Sequence, residues 1–488
     1  MTGFDGTYAS ARALRKALRA RKVSAVELAR AAIARIEKLD GTINAVCVRD
    51  FDQALKAARA QDRLIARQAA GPLAGIPMTV KESFNLAGHP TTWGFPAQKD
   101  FIAAEDALIV ARAKAAGAVV LGKTNVPVGL ADWQSYNPIY GVTRNPYDAS
   151  RTPGGSSGGS SAALAAGYGP LSLGSDIGGS LRVPAHCCGI YAHKPTYNLV
   201  PPRGHTPPPL PPLPFERDLS VVGPMARTAG DLADLMAVIA GPDELDAGRG
   251  YRLALPPARH AGLKGFRILV LDDHPLMPVS ASIRTALDRL ATQLTTSGAR
   301  VKRGSDALPD LAEASRLYMR LLFAFFAASF PAEAYDGLRA QAAKLSPQDR
   351  SLHAERLRGA VLSHRDWVAA SGQRVRLRAQ WRAFFEQFDV LLCPIMPTPP
   401  YVQDHTPDQT QRRILVDGRE HPYQDQLFWP GVATAPGLPA TAIPLGLVDG
   451  LPIGAQLVGP WLEDRTPLRL AELIERECGG FVPPAALA

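Results

Sequence analysis

The sequence has few of the features that mark membrane, metal-binding and disulfide-bonded proteins. Its 488 residues include only five cysteines, which form no CxxC pair. An odd number without metal-ligand spacing argues against a disulfide framework and a metal site, and predicts small buried thiols in a reducing compartment. No apolar run reaches membrane-spanning length, and residues 1–10 lack the basic-then-apolar layout of a signal peptide. We therefore expect a cytoplasmic protein that contacts no membrane.

Long runs of one charge are also missing. The net charge is +9, from 54 basic and 45 acidic residues, but the basic residues are scattered along predicted helices. A solvated surface explains this distribution better than a nucleic-acid interface does, so no nucleic-acid partner is expected. With 46% hydrophobic and 20% charged residues, the composition is that of an ordinary globular protein with a large core.

Strand and helix patterns alternate along the chain, which predicts an α/β fold with a mixed central sheet sandwiched by helices on both faces. We expect a single domain over 1–488, composed of a helical segment (1–70), a catalytic core (71–245), a mostly helical insertion (305–387) and a return to the sheet (388–488). Strands are predicted at 75–80, 118–121, 171–173, 266–271, 301, 390–392, 440–444 and 453–458.

One motif resembles a phosphate-binding loop. Residues Gly117–Thr124 fit GxxxxGK[ST] letter for letter. Such a loop needs a strand before its first glycine and a flexible polar interior. Here a predicted helix precedes Gly117, and the interior is itself an apolar strand pattern. The motif therefore does not predict nucleotide binding.

Two glycine-rich runs carry the strongest chemical signal. Ser156 lies in GGSSGGS (154–160) and Ser180 in GSDIGGSLR (174–182), while Lys81 ends the apolar stretch GIPMTVK (75–81). Glycines beside a serine leave room for a substrate and let backbone N–H groups converge on an oxyanion. A buried neutral lysine can act as the base for such a serine. The set favours an amide-cleaving serine hydrolase that does not use histidine.

A different serine mechanism stays open on the motifs alone. Residues 154–158 also fit the GxSxG nucleophile elbow, which would make Ser156 the nucleophile, with a later histidine as the base. That motif requires a strand running directly into the turn, whereas 145–153 has a loop composition.

Several long motifs in order make the chain resemble the amidase signature family. They extend over nearly the whole sequence: GIPMTVKES (75–83), GAVVLGKTN (117–125), the run from Arg151 to Thr196, VGPMARTAGDL (222–232), FDVLLCPIMPTP (388–399), GLPATAIPLG (437–446) and DGLPIGAQLVG (449–459).

The resemblance implies a Ser–Ser–Lys triad and the fold of that family. Ser180 would be the nucleophile, Ser156 the bridging serine after a cis peptide bond, and Lys81 the base. The oxyanion would be held by the backbone N–H groups of Ile177, Gly178, Gly179 and Ser180. No metal or organic cofactor is implied.

Other polar residues near these motifs have candidate supporting roles. Ser157 and Thr79 are candidates to hydrogen-bond Lys81, and Asp176 to tie down the oxyanion loop. Arg182 is a candidate for binding a substrate carboxylate, although a structural ion pair is the stronger expectation. The sequence also departs from the common family pattern, with Glu82 in place of a frequent aspartate and Val128 in place of a frequent acid.

An aromatic-lined cleft is expected beside the triad, which favours an aryl or hydrophobic amide over a small polar one. Esters and carbamates are chemically accessible alternatives. The candidate lining residues are Trp93, Trp133, Tyr136, Phe215, Phe428 and Trp429.

Two other functions stay open. One branch of the family supplies the glutamine-hydrolysing chain of the tRNA-dependent amidotransferase, and the basic composition suits it. The DIGGS motif (176–180) and the proline-rich segment (200–215) favour a stand-alone amidase. A binding protein that has lost catalysis is disfavoured by the intact Lys81, Ser156 and Ser180. The expected partner is a small-molecule amide, and a homodimer is an open alternative.

Overall fold

The computed structural model describes residues 6–274 and 276–487. Its helices are α1 (Ala11–Arg19), α2 (Ala25–Ile43), α3 (Phe51–Ala66), α4 (Leu108–Ala115), α5 (Gly158–Ala165), α6 (Arg182–Cys188), α7 (Ala229–Ile239), α8 (Ala281–Thr296), α9 (Leu311–Ala327), α10 (Ala332–Ala342), α11 (Leu352–Ala360), α12 (His364–Gln387), α13 (Phe428–Thr434) and α14 (Arg465–Cys478).

The strands are β1 (Val46–Arg49), β2 (Pro77–Lys81), β3 (Val119–Thr124), β4 (Tyr136–Asn137), β5 (Gly141–Val142), β6 (Leu171–Asp176), β7 (Tyr191–Lys194), β8 (Val221–Ala226), β9 (Arg267–Val270), β10 (Arg300–Arg303), β11 (Val390–Pro394), β12 (Arg413–Val416), β13 (Arg419–Pro422), β14 (Ala440–Val448) and β15 (Leu451–Val458).

Eleven of these strands form one mixed sheet, in the order β1-β3-β2-β6-β8-β7-β14-β15-β11-β9-β10. Strand β2 is parallel to both β3 and β6, whereas β6 and β8 are antiparallel. The expected α/β class with a mixed sheet is confirmed. Within the described ranges, no helix has both the length and the apolar character needed to cross a membrane.

The polarity of three neighbouring strands places the functional segments at one edge of the sheet. Because β2 and β6 are parallel, with Val80 opposite Leu173, their carboxyl ends meet at the same edge. Strand β8 runs the other way, with Val221 opposite Asp176, so the segment entering β8 lies at that edge too. Lys81, the loop after β6 and the proline-rich segment before β8 therefore converge.

The apparent phosphate-binding motif is part of this sheet. Helix α4 precedes Gly117, and Val119–Thr124 is the fully buried strand β3. Lys123 is buried and donates to Thr91 Oγ1 at 2.8 Å and to the carbonyl of Pro90. Burial lowers the pKa of Lys123 to about 8. The helix before Gly117 and the strand interior are as predicted, and the structure adds that the Lys123 amine is occupied by the protein.

Candidate active site

Lys81 ends the buried strand β2 and points its amine at two serines. Its Nζ lies 2.7 Å from Ser156 Oγ and 3.0 Å from Ser175 Oγ. The lysine is completely buried, and burial lowers its pKa well below the ordinary value of 10.5, against the opposing charge of Asp176. A neutral amine is therefore favoured, which is the form that can accept a proton from a hydroxyl.

The loop carrying Ser156 is held by close backbone packing. The Gly155–Ser156 peptide bond is cis, and a Cβ on Gly155 would lie 2.4 Å from the carbonyl oxygen of Asp132. Gly154 has φ +82°, and a Cβ there would lie 2.6 Å from the Cα of Pro184. Only glycine fits either position without displacing backbone. The Ser156 loop follows an irregular segment rather than a strand, so a nucleophile elbow is not present.

Ser180 lies in the loop between β6 and α6, directly beside the Ser156 loop. The Ser157 amide donates to the Ser180 carbonyl oxygen at 3.2 Å, which joins the two serine loops. The Ser180 side chain is buried but not sealed, and its hydroxyl has no hydrogen-bond partner within the described chain. Catalytic hydrogen bonds are often long in an unliganded site and tighten with substrate. The Ser180 hydroxyl is thus free of hydrogen bonds within the described chain, in a loop next to the one that carries Ser156, whose hydroxyl is hydrogen-bonded to Lys81.

Asp176 organises the loop, as the sequence predicted. Its carboxylate accepts hydrogen bonds from the amides of Gly179 at 2.9 Å and Leu181 at 3.1 Å. Burial opposes ionisation, but the Arg182 guanidinium together with Lys194 and the Gly179 amide outweighs it, so the pKa of Asp176 lies below its ordinary value. The carboxylate therefore stays charged and fixes the turn between β6 and α6.

This arrangement corrects the predicted oxyanion donors at one position. The Gly179 amide is committed to Asp176 and does not face an incoming substrate oxygen. The amides of Ile177, Gly178 and Ser180 have no acceptor among the described residues. These three donors remain the candidates for holding an oxyanion.

Two side chains outside the loop hold its carbonyl groups. Trp133 Nε1 donates to the Gly178 carbonyl oxygen at 2.8 Å, and the Tyr318 hydroxyl donates to that of Ile177 at 2.7 Å. The carbonyl and the amide of a planar trans peptide point to opposite sides. The Tyr318 contact therefore orients the Gly178 amide, and the Trp133 contact orients the Gly179 amide that donates to Asp176. Sequence reasoning missed Tyr318, which lies on α9, and gave Trp133 a different role.

Arg182 is not available to a substrate, and its prediction as a substrate-binding residue is wrong. Its side chain is completely buried, and all five of its N–H groups are used by the protein. Their acceptors are both Asp176 carboxylate oxygens, the Pro430 carbonyl, Gln456 Oε1 and Thr434 Oγ1. The structural ion pair was the correct alternative.

Most of the aromatic residues predicted to line a cleft are structural. Phe428 and Trp429 have no exposed surface and pack edge to face. Trp93 is buried against His205 and donates from Nε1 to the Ser83 carbonyl oxygen at 3.1 Å. These side chains therefore belong to the core. The sequence could not show this, because composition does not distinguish a core aromatic from a cleft aromatic.

Two further aromatic residues, Tyr136 and Phe215, are only partly buried or exposed. Tyr136 is half-buried; its hydroxyl accepts from Arg412 at 2.8 Å, and its ring stacks on His405. Phe215 is 45% exposed on the proline-rich segment.

The predicted partners of Lys81 were also wrong. Thr79 Oγ1 pairs with Ser172 Oγ at 2.9 Å across β2 and β6. Ser157 Oγ is directed to the main chain of Ser175. The serine that contacts Lys81 besides Ser156 is Ser175, at the end of β6.

The two departures from the family pattern lie away from the lysine amine. The Glu82 carboxylate accepts from the amides of Thr92 at 2.6 Å and Trp93 at 3.0 Å, which ties the following loop to the end of β2. Val128 is 37% exposed. The Glu82 carboxylate is therefore occupied by the main chain of that loop.

Comparison with known proteins places this site in a class. The amidase family model matches residues 27–468. The chain is 34% identical to the A subunit of the glutamyl-tRNA(Gln) amidotransferase of Symbiobacterium thermophilum, over 95% of both chains. It is 32% identical to an indoleacetamide hydrolase of Bradyrhizobium diazoefficiens, covering 95% of this chain and 85% of that one. A bacterial aryl acylamidase structure superposes with a TM-score of 0.79 at 26% identity, over 97% of this chain and 96% of that chain.

The chain therefore belongs to the amidase family. It is an amidase, an enzyme that hydrolyses the C–N bond of carboxylic amides.

Proposed function

We propose that the protein is a stand-alone serine amidase that forms an acyl-enzyme on Ser180. The observation that carries the proposal is the 2.7 Å contact between Ser156 Oγ and a buried Lys81 whose pKa is lowered, beside the unoccupied Ser180 hydroxyl. Neutral Lys81 takes a proton from Ser156, and Ser156 takes one from Ser180 as Ser180 Oγ attacks the amide carbon.

The tetrahedral oxyanion is stabilised by the amides of Ile177, Gly178 and Ser180, whose loop is fixed by Asp176. Losing one such donor typically costs about 3 kcal/mol of transition-state stabilisation. Ser156 then gives the proton it took from Ser180 to the departing amine and regains its own from Lys81. Water attacks the resulting ester and loses a proton to the same relay, which passes it to Ser180 Oγ as the acid is released. The reaction needs only the groups of this chain, the substrate and water.

The apolar surroundings of the oxyanion loop favour an aryl or hydrophobic substrate. A Cβ on Gly178 would meet Leu427 at 3.1 Å, and one on Gly179 would meet Pro430 and Val183 at 2.8 Å. These side chains are buried behind the loop, so half-buried Ile177 is the apolar side chain of the loop that a substrate can meet. Such a side chain suits an apolar acyl group.

The test is hydrolysis of aryl, aliphatic and amino-acid amides by the purified chain, with the Ser180→Ala variant assayed beside it. We expect turnover of aryl or hydrophobic amides by the native chain and none by the variant. Activity that persists in Ser180→Ala overturns the assignment of the nucleophile.

A second candidate is the A subunit of a glutamine-dependent tRNA amidotransferase. The identity to a protein of that name over 95% of the chain favours it. The same assay separates the two, because a stand-alone amidase cleaves simple aryl amides without a partner. Ammonia release from glutamine that appears only when the other amidotransferase chains are added would support the second candidate.

A further inference from the structure

Arg217 is a half-buried cation without a carboxylate partner in the described part of the chain. Its Nη1 donates to the His205 carbonyl oxygen at 3.1 Å, which uses one of the five donors of a guanidinium. Its carbon Cζ lies 4.9 Å from the ring centroid of Trp93 and 5.4 Å from that of Phe325. The neighbouring Asp218 pairs with Arg374 instead. Burial with no opposing acid lowers the pKa of Arg217 to about 10.

Other buried arginines of the fold have either an acidic partner or several acceptors: Arg227 donates to four main-chain carbonyls, and two others pair with acids. Arg182 pairs with Asp176 at 2.9 Å, and Arg412 pairs with Asp132 at 2.6 Å. Taking a cation out of water is costly unless an anion or several acceptors replace the lost hydration. Arg217 has neither, although it is held in place by two aromatic rings.

The position of Arg217 relates it to the catalytic edge of the sheet. It precedes β8 by four residues, and the first residue of β8, Val221, lies opposite Asp176 at the base of the oxyanion loop. The ring of Trp93 beside Arg217 is anchored to the carbonyl of Ser83, two residues after Lys81. Arg217 is therefore linked through Trp93 to the segment after β2, and along the chain to the start of β8 beside the oxyanion loop.

Helix α9 gives a scale for the distance between the oxyanion loop and Arg217. Tyr318 on α9 contacts the Ile177 carbonyl, and Phe325, seven residues further along, lies against Arg217. Seven helical residues rise about 10 Å. An aryl amide with an acidic group at its far end spans a similar length once the carboxylate–guanidinium contact is included.

Further polar atoms without partners lie around the same segment. Ser83 Oγ, Thr206 Oγ1 and both ring nitrogens of His205 are buried and have no hydrogen-bond partner among the described residues. Buried polar side-chain atoms are usually hydrogen-bonded. Burial, aided by the nearby charge of Arg217, lowers the pKa of His205 well below 6.5. The ring is therefore neutral, and the charge near these atoms is positive.

We propose that Arg217 binds a carboxylate carried by the substrate, at the end of the molecule remote from the scissile amide. The preferred substrate is then an amide with an apolar, aryl-sized body and one anionic group. The inference rests on the proposed function at Ser180 and specifies its substrate class. A guanidinium binds a carboxylate through two parallel hydrogen bonds, and such charge-assisted pairs are the stronger kind.

The test compares 4-carbamoylbenzoate with 4-nitrobenzamide, a neutral substrate of nearly the same shape. The measured quantity is the ratio of kcat/KM for the acid to that for the nitro compound. In Arg217→Met we expect this ratio to fall about tenfold or more, because the charged contact is lost, and in Arg217→Lys to fall less. A ratio that is the same in Arg217→Met as in the native enzyme overturns the inference.

The matched control is Arg378→Met. Arg378 also stacks on an aromatic ring, with Cζ 4.3 Å from the Trp461 centroid, and donates to the Pro436 carbonyl. Its replacement is expected to leave the ratio unchanged. If Arg217 variants do not fold, the native enzyme alone decides: a lower KM for the acid supports the proposal, and an equal or higher KM contradicts it.

Ser180→Ala, assayed on both substrates, separates the two proposals. If it is inactive while Arg217→Met leaves the ratio unchanged, the amidase mechanism stands and only the carboxylate site fails. If Ser180→Ala remains active, the mechanism itself fails.

Discussion

Trp133 Nε1 lies 2.8 Å from the carbonyl oxygen of Gly178, so an indole holds the back of the candidate oxyanion loop. Tyr318 does the same for the carbonyl of Ile177. These contacts fix the carbonyl side of two peptides in the loop that supplies the proposed oxyanion donors. Asp176 therefore holds the loop from within, and two side chains that lie far from it in the sequence hold its carbonyl groups.

Trp133→Phe removes the indole donor and keeps most of the ring. We expect kcat to fall about tenfold or more with a smaller change in KM, because a buried carbonyl is left without its donor and the loop is less well fixed. Steady-state kinetics on an aryl amide measures this. Trp461→Phe, at a partly exposed indole, is the control; an equal loss in both variants would contradict the positioning role.

Arg182→Met leaves Asp176 charged and unpaired in the core. The expected cost is about 3–5 kcal/mol of the free energy of unfolding, as for other broken buried pairs. Urea unfolding measures it. The control is Arg339→Met, whose exposed pair with Asp336 contributes at most about 1 kcal/mol. A stable Arg182→Met enzyme with an altered substrate preference would instead restore the rejected substrate-binding role.

Lys81 gives activity a defined dependence on pH. The proposed mechanism uses the neutral amine, so activity is expected to fall as pH drops through the lowered pKa of Lys81. Lys81→Met should be inactive across the range. A native rate that is independent of pH down to acid denaturation contradicts a lysine base.

The titration of Lys81 also makes the free energy of unfolding depend on pH. In the unfolded chain, Lys81 is protonated below about 10.5, whereas in the folded chain it is neutral above its lowered pKa. Between these limits unfolding takes up a proton, so the free energy of unfolding rises with pH by about 1.4 kcal/mol per unit. Lys81→Met should lose this contribution, and Lys22→Met at the surface should keep it. Unfolding curves at several pH values measure the difference.

Much of the sheet could be predicted from apolar patterns. The strand predicted at 75–80 corresponds to β2, Pro77–Lys81, which ends in Lys81. Several short strands are absent from the predicted set: for example, β1 lies in a region predicted to be helical, and β8 contains Gly223 and Pro224, which are disfavoured in strands. In these short segments, pairing with neighbouring strands decides the structure rather than local preference.

The details around the triad depend on register and on distant contacts. Thr79 was a reasonable candidate partner for Lys81, because residues two apart share one face of a strand. The register of β6 instead places Ser172 opposite Thr79. Tyr318 could not be predicted, since 141 positions separate it from Ile177. The motifs located the candidate reacting groups, while tertiary packing determines what holds them.

The most direct test of the Ser180 assignment is covalent labelling of the native enzyme with phenylmethylsulfonyl fluoride, followed by peptide mass spectrometry. We predict one sulfonyl adduct on Ser180, lost in Ser180→Ala and strongly slowed in Lys81→Met. An adduct on Ser156, or labelling that persists in Ser180→Ala, would contradict the assignment of Ser180 as the nucleophile.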